Sequence, residues 1–123
     1  MAWKLDSDRP IYAQLIEKLQ IQIVSGKYPS GSKLPSVREL AAEAGVNPNT
    51  MQKAFSELER DGLILTRRTS GRFVTEDAAL IQQIRHTLAR EQLTCFFQTM
   101  KQLGYEEKEI LSFISAEYEE EYK

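Results

Sequence analysis

A chain of 123 residues, 41% hydrophobic and 28% charged, has the composition of an ordinary globular protein and room for one compact domain plus an appendage. No apolar run is long enough to span a bilayer, no signal-peptide core opens the chain, and a single cysteine, Cys95, excludes an internal disulfide framework, so the cytoplasm is the expected compartment. The net charge of −2 hides a division: residues 1–75 carry 11 Lys and Arg against 8 Asp and Glu, a balance of +3, and residues 76–123 carry 5 against 10, a balance of −5. Exposed charge reaches only about 10 Å through 0.1 M salt, so an anionic partner responds to the local patch more than to the total.

Residues 1–9 form an arm in which Trp3 and Leu5 are expected to pack over the domain. Asp8 is placed to cap the helix that follows, with Pro10 in its first turn. There Ile11, Leu15, Leu19 and Ile23 recur every four residues, with Ile16 and Val24 beside them, until Gly26. This stripe is expected to complete a three-helix core with Leu40, Phe55 and Leu58. After the connector Tyr28-Pro29-Ser30-Gly31-Ser32, Lys33-Leu34 is a candidate short strand.

A second helix opens at Ser36, whose hydroxyl can cap it while Glu39, three residues on, reaches back in a capping box. Ala44-Gly45-Val46 ends it, and Gly45 permits the left-handed backbone that a tight turn requires. The third helix starts at Asn47-Pro48, a capping Asn followed by a Pro whose missing N–H is not needed there. Met51, Ala54, Phe55 and Leu58 form its apolar stripe; Asn49, Gln52, Lys53 and Ser56 form the opposite face. Amides and one cation suit base edges and phosphate.

Asp61-Gly62 closes this helix, and Leu63-Ile64-Leu65-Thr66 and Arg72-Phe73-Val74-Thr75 are short strands around the loop Arg67-Arg68-Thr69-Ser70-Gly71. Three arginines and a flexible tip suit a wing lying on the sugar-phosphate backbone or in the minor groove. Any amphipathic helix has a polar outer face; here the glycine turn before it and the basic hairpin after it favour nucleic acid. The fold class is therefore mainly α with a small β-wing (α+β): a winged helix-turn-helix over residues 1–75, then a helical unit over 76–123.

In that second unit Glu76-Asp77 places negative charge at a helix N-terminus, followed by Leu80, Ile81, Ile84, Leu88, Leu93, Phe96, Phe97, Met100 and Leu103. Gly104 ends the helix, and Tyr105-Glu106-Glu107 opens a last one carrying Ile110, Leu111, Phe113, Ile114 and Tyr118. The apolar positions exceed one stripe, so two helices leave faces uncovered. A second copy of the chain is the expected cover, through Leu80, Ile84, Leu88, Phe96, Phe97, Met100, Leu103, Ile110, Phe113 and Ile114. A homodimer would set two recognition helices in successive major grooves of an inverted-repeat operator.

Catalytic signals are absent. His86 is the lone histidine and is expected to be a partly exposed structural side chain; Cys95, beside Phe96-Phe97, is expected to be a buried packing residue. One of each cannot build a zinc site, and neither a phosphate-binding glycine loop nor a nucleophile elbow is present. Consecutive carboxylates at Glu119, Glu120 and Glu121 point around a helix and do not converge. No enzyme activity, metal or cofactor is expected.

Three stretches, LPSVRELA, GVNPNTMQKAFSELERDGLI and the TSGRF wing, resemble the DNA-binding domain of GntR-type bacterial transcription regulators. The short chain and the NPNT start of the third helix are most similar to the YtrA branch, whereas the tail matches by size and helicity alone. The resemblance implies a regulator, commonly a repressor, that binds its operator as a dimer and releases it when a small-molecule effector occupies the C-terminal part; in the YtrA branch, genes for ABC transport are often linked. It implies DNA contacts from Arg38, with Ser36 near a phosphate, and from Asn47, Asn49, Thr50, Gln52 and Gly71. Other branches carry arginines matching Pro48 and Gln52; without them, base readout is expected to lean on Arg38, Asn49 and Gln52. Asn and Gln pair best with adenine. Lys53, Arg67, Arg68 and Arg72 would supply phosphate attraction, with Thr69 and Ser70 at the wing tip. The competing reading, a winged helix that binds only protein, predicts no such cluster of cations.

Overall fold

The computed structural model describes residues 2–122, with the element order α1 (Ile11–Val24), α2 (Val37–Ala44), α3 (Pro48–Arg60), β1 (Ile64–Arg67), β2 (Gly71–Val74), α4 (Ala78–Gln102) and α5 (Glu107–Tyr122). Contacts divide it into two compact units, one ending at Arg85 and one beginning at His86. The end of the β-hairpin suggested a boundary at 75/76; the compact unit runs ten residues further because Ile81 and Ile84 pack on its core.

In the first unit the core is built from three helices and the hairpin. Leu15, Leu19 and Ile23 of α1, Leu40, Ala41 and Ala44 of α2, and Met51, Ala54, Phe55 and Leu58 of α3 are buried together with Leu34, Leu63, Ile64 and Val74. The expected stripes therefore face one another, with Ile11 half-buried at the rim. Trp3 and Leu5 lie against this core, and the Trp3 indole N–H donates to Glu43 Oε2 at 3.0 Å. Burial, and then the Glu43 carboxylate, raise the Tyr28 phenol above its ordinary pKa.

Two local expectations are corrected. Asp8 does not cap α1: Pro10 is itself the N-cap residue and no side chain accepts from the first turn. The arm is tied down instead by buried Gln14, whose Oε1 accepts from the Asp6 N–H at 2.7 Å and whose Nε2 donates to Asp6 O at 2.8 Å and Arg9 O at 3.1 Å. Lys33-Leu34 does not form a strand: a single bridge joins Lys33 to Phe73, and the sheet has two strands. The connector still runs alongside β2, with Leu34 N–H donating to Arg72 O and Val74 N–H to Ser32 O, both at 2.9 Å. Pro35, which has no N–H, prevents the ladder from continuing.

The hairpin is antiparallel in the register Ile64 with Val74, Leu65 with Phe73, Thr66 with Arg72 and Arg67 with Gly71. Both strands sit about one residue from their expected bounds, and residues 68–70 form the turn.

In the second unit α5 begins where the Glu106 N–H donates to Glu109 Oε1 at 2.9 Å, and Ile110 is its one fully buried side chain. Phe96 and Phe97 meet edge to face at 5.8 Å, and Tyr105 and Phe113 at 5.6 Å. Cys95 is exposed, contrary to the packing role expected from its aromatic neighbours, because it lies on the solvent side of a helix that fully buries no residue. His86 is exposed as well.

Phe55 has no accessible surface and joins α3 to the rest of the core. Phe55→Ala is expected to cost about 3–5 kcal/mol of unfolding free energy, read from urea titration with the lone Trp3 as reporter. A loss below about 1 kcal/mol would place the ring outside the cooperative core.

Candidate nucleic-acid interface

The helix-turn-helix is held by local chemistry. The Ser36 hydroxyl accepts from the Glu39 N–H at 3.1 Å while Glu39 Oε1 accepts from the Ser36 N–H at 3.2 Å, so the expected capping box is present. Gly45 ends α2 in the left-handed region, φ 77° and ψ 36°, with its N–H on Ala41 O at 2.9 Å. A Cβ there would lie 3.0 Å from that of Ala2, so glycine is required by backbone conformation and by space. Asn47 caps α3 by accepting from the Asn49 N–H at 2.7 Å. One lone pair of its oxygen is thus used, and the second lone pair and the amide NH2 are left to meet a ligand.

On α3, Asn49, Gln52, Lys53 and Ser56 are exposed, and Thr50 is half-buried. The Lys53 ammonium rests 3.9 Å from the centre of the Tyr12 ring, which positions the charge without neutralising it. Gln52 is tied at both ends: its Nε2 donates to Ser56 Oγ at 3.4 Å, and its Oε1 accepts from Arg72 Nη2 at 3.3 Å.

The wing holds its cations in three ways. Arg67 stacks its guanidinium 4.6 Å from the centre of the Phe73 ring. Arg68 is exposed and has no side-chain partner among the described residues, as is also true of Arg38 on α2. Arg72, expected to attract phosphate, is turned onto α3: its Nε pairs with Glu59 Oε1 at 3.0 Å and its guanidinium carbon lies 5.4 Å from the centre of the Phe55 ring. Glu59 was not among the expected site residues. Its position seven residues after Gln52, on the same helical face, is the signal that could have found it.

A cleft of about 330 Å³ separates the start of α2 from the wing, lined by Lys33, Ser36 and Glu39 on one side and by Thr69, Ser70 and Gly71 on the other. The structure thus brings the start of α2 and the wing tip to one surface, and through Arg72 it links the wing to α3. Lys33 joins this surface without having been expected there. Gly71 has φ 102°, and a Cβ on it would stand 3.2 Å from Lys33 Cε. No group of residues suited to hold a metal ion occurs among the described residues.

A three-helix core, an αL glycine turn and a cationic two-stranded wing define a winged helix-turn-helix of the DNA-binding type. The model of "Bacterial regulatory proteins, gntR family" matches residues 11–74, and the chain belongs to that family. It is 40% identical over 111 residues to the HTH-type transcriptional regulator YhcF of Bacillus subtilis, spanning 90% of this chain and 92% of that one. It is 41% identical over 97 residues to the transcriptional repressor YtrA of the same organism, spanning 79% and 70%. Among solved structures, a GntR family regulator from Listeria monocytogenes superposes with a TM-score of 0.84 at 38% identity, covering 91% of this chain and 98% of that one. The DNA-binding domain of AraR, solved in complex with operator ORX1, superposes at 0.53 with 32% identity, covering 61% and 92%. The protein is a transcription regulator and not an enzyme. No described helix is long and apolar enough to cross a membrane.

The wing turn depends on Gly71. Gly71→Ala is expected to cost about 1–2 kcal/mol through the left-handed backbone alone, measured by thermal unfolding, with Lys33 free to swing away from the new methyl. An unchanged melting temperature would mean that the turn adopts another conformation.

Proposed function

We propose that the chain acts as a homodimeric, sequence-specific repressor that binds an inverted-repeat operator through Arg38, the outer face of α3 and the wing. The convergence of α2, α3 and the wing on one surface carries this reading. A related winged helix, that of AraR, was solved on an operator, which supports the same use of the fold. Arg38 and Arg68 are exposed and have no ion-pair partner among the described residues, so their charges are available to DNA without first breaking an internal ion pair. In this reading Asn49, Thr50 and Gln52 face base edges, Ser36, Lys53, Arg67 and the wing tip at Thr69, Ser70 and Gly71 face the backbone, and the NH2 of Asn47 completes the edge.

The dimer rests on α4 and α5. The 25 residues of α4 fully bury no side chain, and α5 fully buries one. Helices in water depend on tertiary packing for most of their stability. Phe96, Met100, Leu103, Tyr105, Phe113 and Ile114 line an open apolar groove of about 600 Å³ within the second unit. A second copy, bringing the same residues, supplies the missing cover. Ile84 lies on the first unit's core and Leu80 is half-buried near Gly62, so in this reading both support that unit more than the dimer.

Selection of bound duplexes from a random pool at about 0.15 M salt is expected to enrich two inverted half-sites about one helical turn apart. Arg38→Ala should then cost about 1–3 kcal/mol on the selected site alone, while Arg68→Ala should weaken selected and random DNA alike. Salt-sensitive binding without any enriched sequence would refute the sequence-specific reading.

Sedimentation tests the dimer independently. Phe113→Glu and Leu103→Glu place a charge in the groove and are expected to convert a dimeric wild type into monomer, with loss of tight operator binding. A wild type that sediments as monomer at micromolar concentration would overturn the dimer.

A further inference from the structure

Arg72 is the one wing cation committed to the recognition helix. Its fork spans two acceptors there, the Glu59 carboxylate at 3.0 Å and the Gln52 amide oxygen at 3.3 Å, over the face of Phe55. Its side chain keeps only 26% of its accessible surface. A guanidinium has donors and no acceptor, so the atom of Gln52 that faces it must be Oε1. That fixes which way round the amide lies. The other end is held by Ser56, whose own hydroxyl donates to Gln52 O at 3.1 Å. One N–H and one oxygen lone pair of the amide remain for a base edge. That pair matches the N7 acceptor and N6 donor of adenine.

We propose that Arg72 is a positioning residue for base readout: it holds the Gln52 amide in one orientation before DNA arrives, and so sets the base preference at the operator position that Gln52 reads. This deepens the proposed DNA-binding function and rests on it. Without Arg72 only the 3.4 Å contact to Ser56 opposes turning the amide over, which would present its groups in the reverse order, and that freedom must be lost on binding. A role limited to attracting phosphate would require only a positive charge at this place, which lysine also supplies. The paired Glu59 already cancels most of the field that Arg72 would present to a phosphate.

The discriminating variant is Arg72→Lys, which keeps the charge and loses the fork. Side-chain amide relaxation by NMR in the free protein should show an ordered Gln52 amide in wild type and a mobile one in Arg72→Lys. Selection from random DNA should show the position flattened by Gln52→Ala to be flattened also by Arg72→Lys, with discrimination there falling by about fivefold. The double variant Gln52→Ala/Arg72→Lys should lose no more discrimination than Gln52→Ala alone, and the salt dependence should stay that of wild type. Glu59→Gln, which weakens the anchor of the fork, should flatten the same position and serves if Arg72→Lys fails to fold. An equally ordered Gln52 amide in both proteins would overturn the positioning role whatever the DNA result. Preference retained by Arg72→Lys, with Arg72→Ala weakening all duplexes alike and lowering the salt slope by about 1, would make Arg72 a phosphate contact instead. A wild type that enriches no sequence would remove the regulator reading, and the readout role with it.

Discussion

The burial of Phe55 is the contact on which both halves of the winged helix depend. One side of its ring closes the core between α1, α2 and α3; the guanidinium of Arg72 lies over it from the wing. A single aromatic thus serves the apolar interior and the platform on which the polar surface is assembled. The left-handed Gly45 sets where α3 starts relative to α2, and the stripe of Met51, Ala54, Phe55 and Leu58 sets which face of α3 remains outside. Once those residues are buried, Asn49, Gln52 and Lys53 have no alternative to exposure. The polar face is a consequence of the apolar one.

The cations of the first unit illustrate how one kind of charge is given different tasks by its neighbours. Lys53 and Arg67 rest on the aromatic rings of Tyr12 and Phe73, which restrain them without an ion pair among the described residues. Arg72 is paired with Glu59 and also donates to Gln52. Arg38 and Arg68 have no side-chain partner among the described residues, so ordering them on binding costs rotamer freedom but no internal bond. Net charge alone would have ranked the five as equals. Their contacts separate them into held, neutralised and free.

What was legible in the sequence was mostly what is decided within four residues. The Ser36 to Glu39 box, the Asn47-Pro48 start and the Gly45 turn are local rules, and all three appear in the structure. The apolar stripes were readable because helix periodicity determines which side chains share a face. The pairing of Arg72 with Glu59 spans 13 residues, and that of Gln14 with the backbone of the arm spans 8. Neither follows from spacing, since each needs the packed core to bring its partners together. Asp8 could have capped α1 by residue type; Gln14 drew the arm into another path, and Pro10 took the place. Cys95 looked like a packing residue beside two phenylalanines, but on a helix with few buried positions a neighbour in sequence is not a neighbour in a core.

That sparse burial in the second unit has a thermodynamic consequence. A 25-residue helix with no fully buried side chain gains little from its own chain and, in the proposed homodimer, gains its packing from a second one. Folding of the tail, association and operator binding would then form one linked equilibrium, with apparent stability rising with protein concentration. The winged helix needs no such help, since its core is closed within one chain. In the proposed homodimer, two winged helices joined through the tail would gain from effective concentration what each lacks in intrinsic affinity, so modest contacts at each recognition helix would suffice for tight binding. Anything that loosens α4 against α5 would lower that gain without touching a DNA contact. In that reading a tail of this size would control operator occupancy through the association step alone.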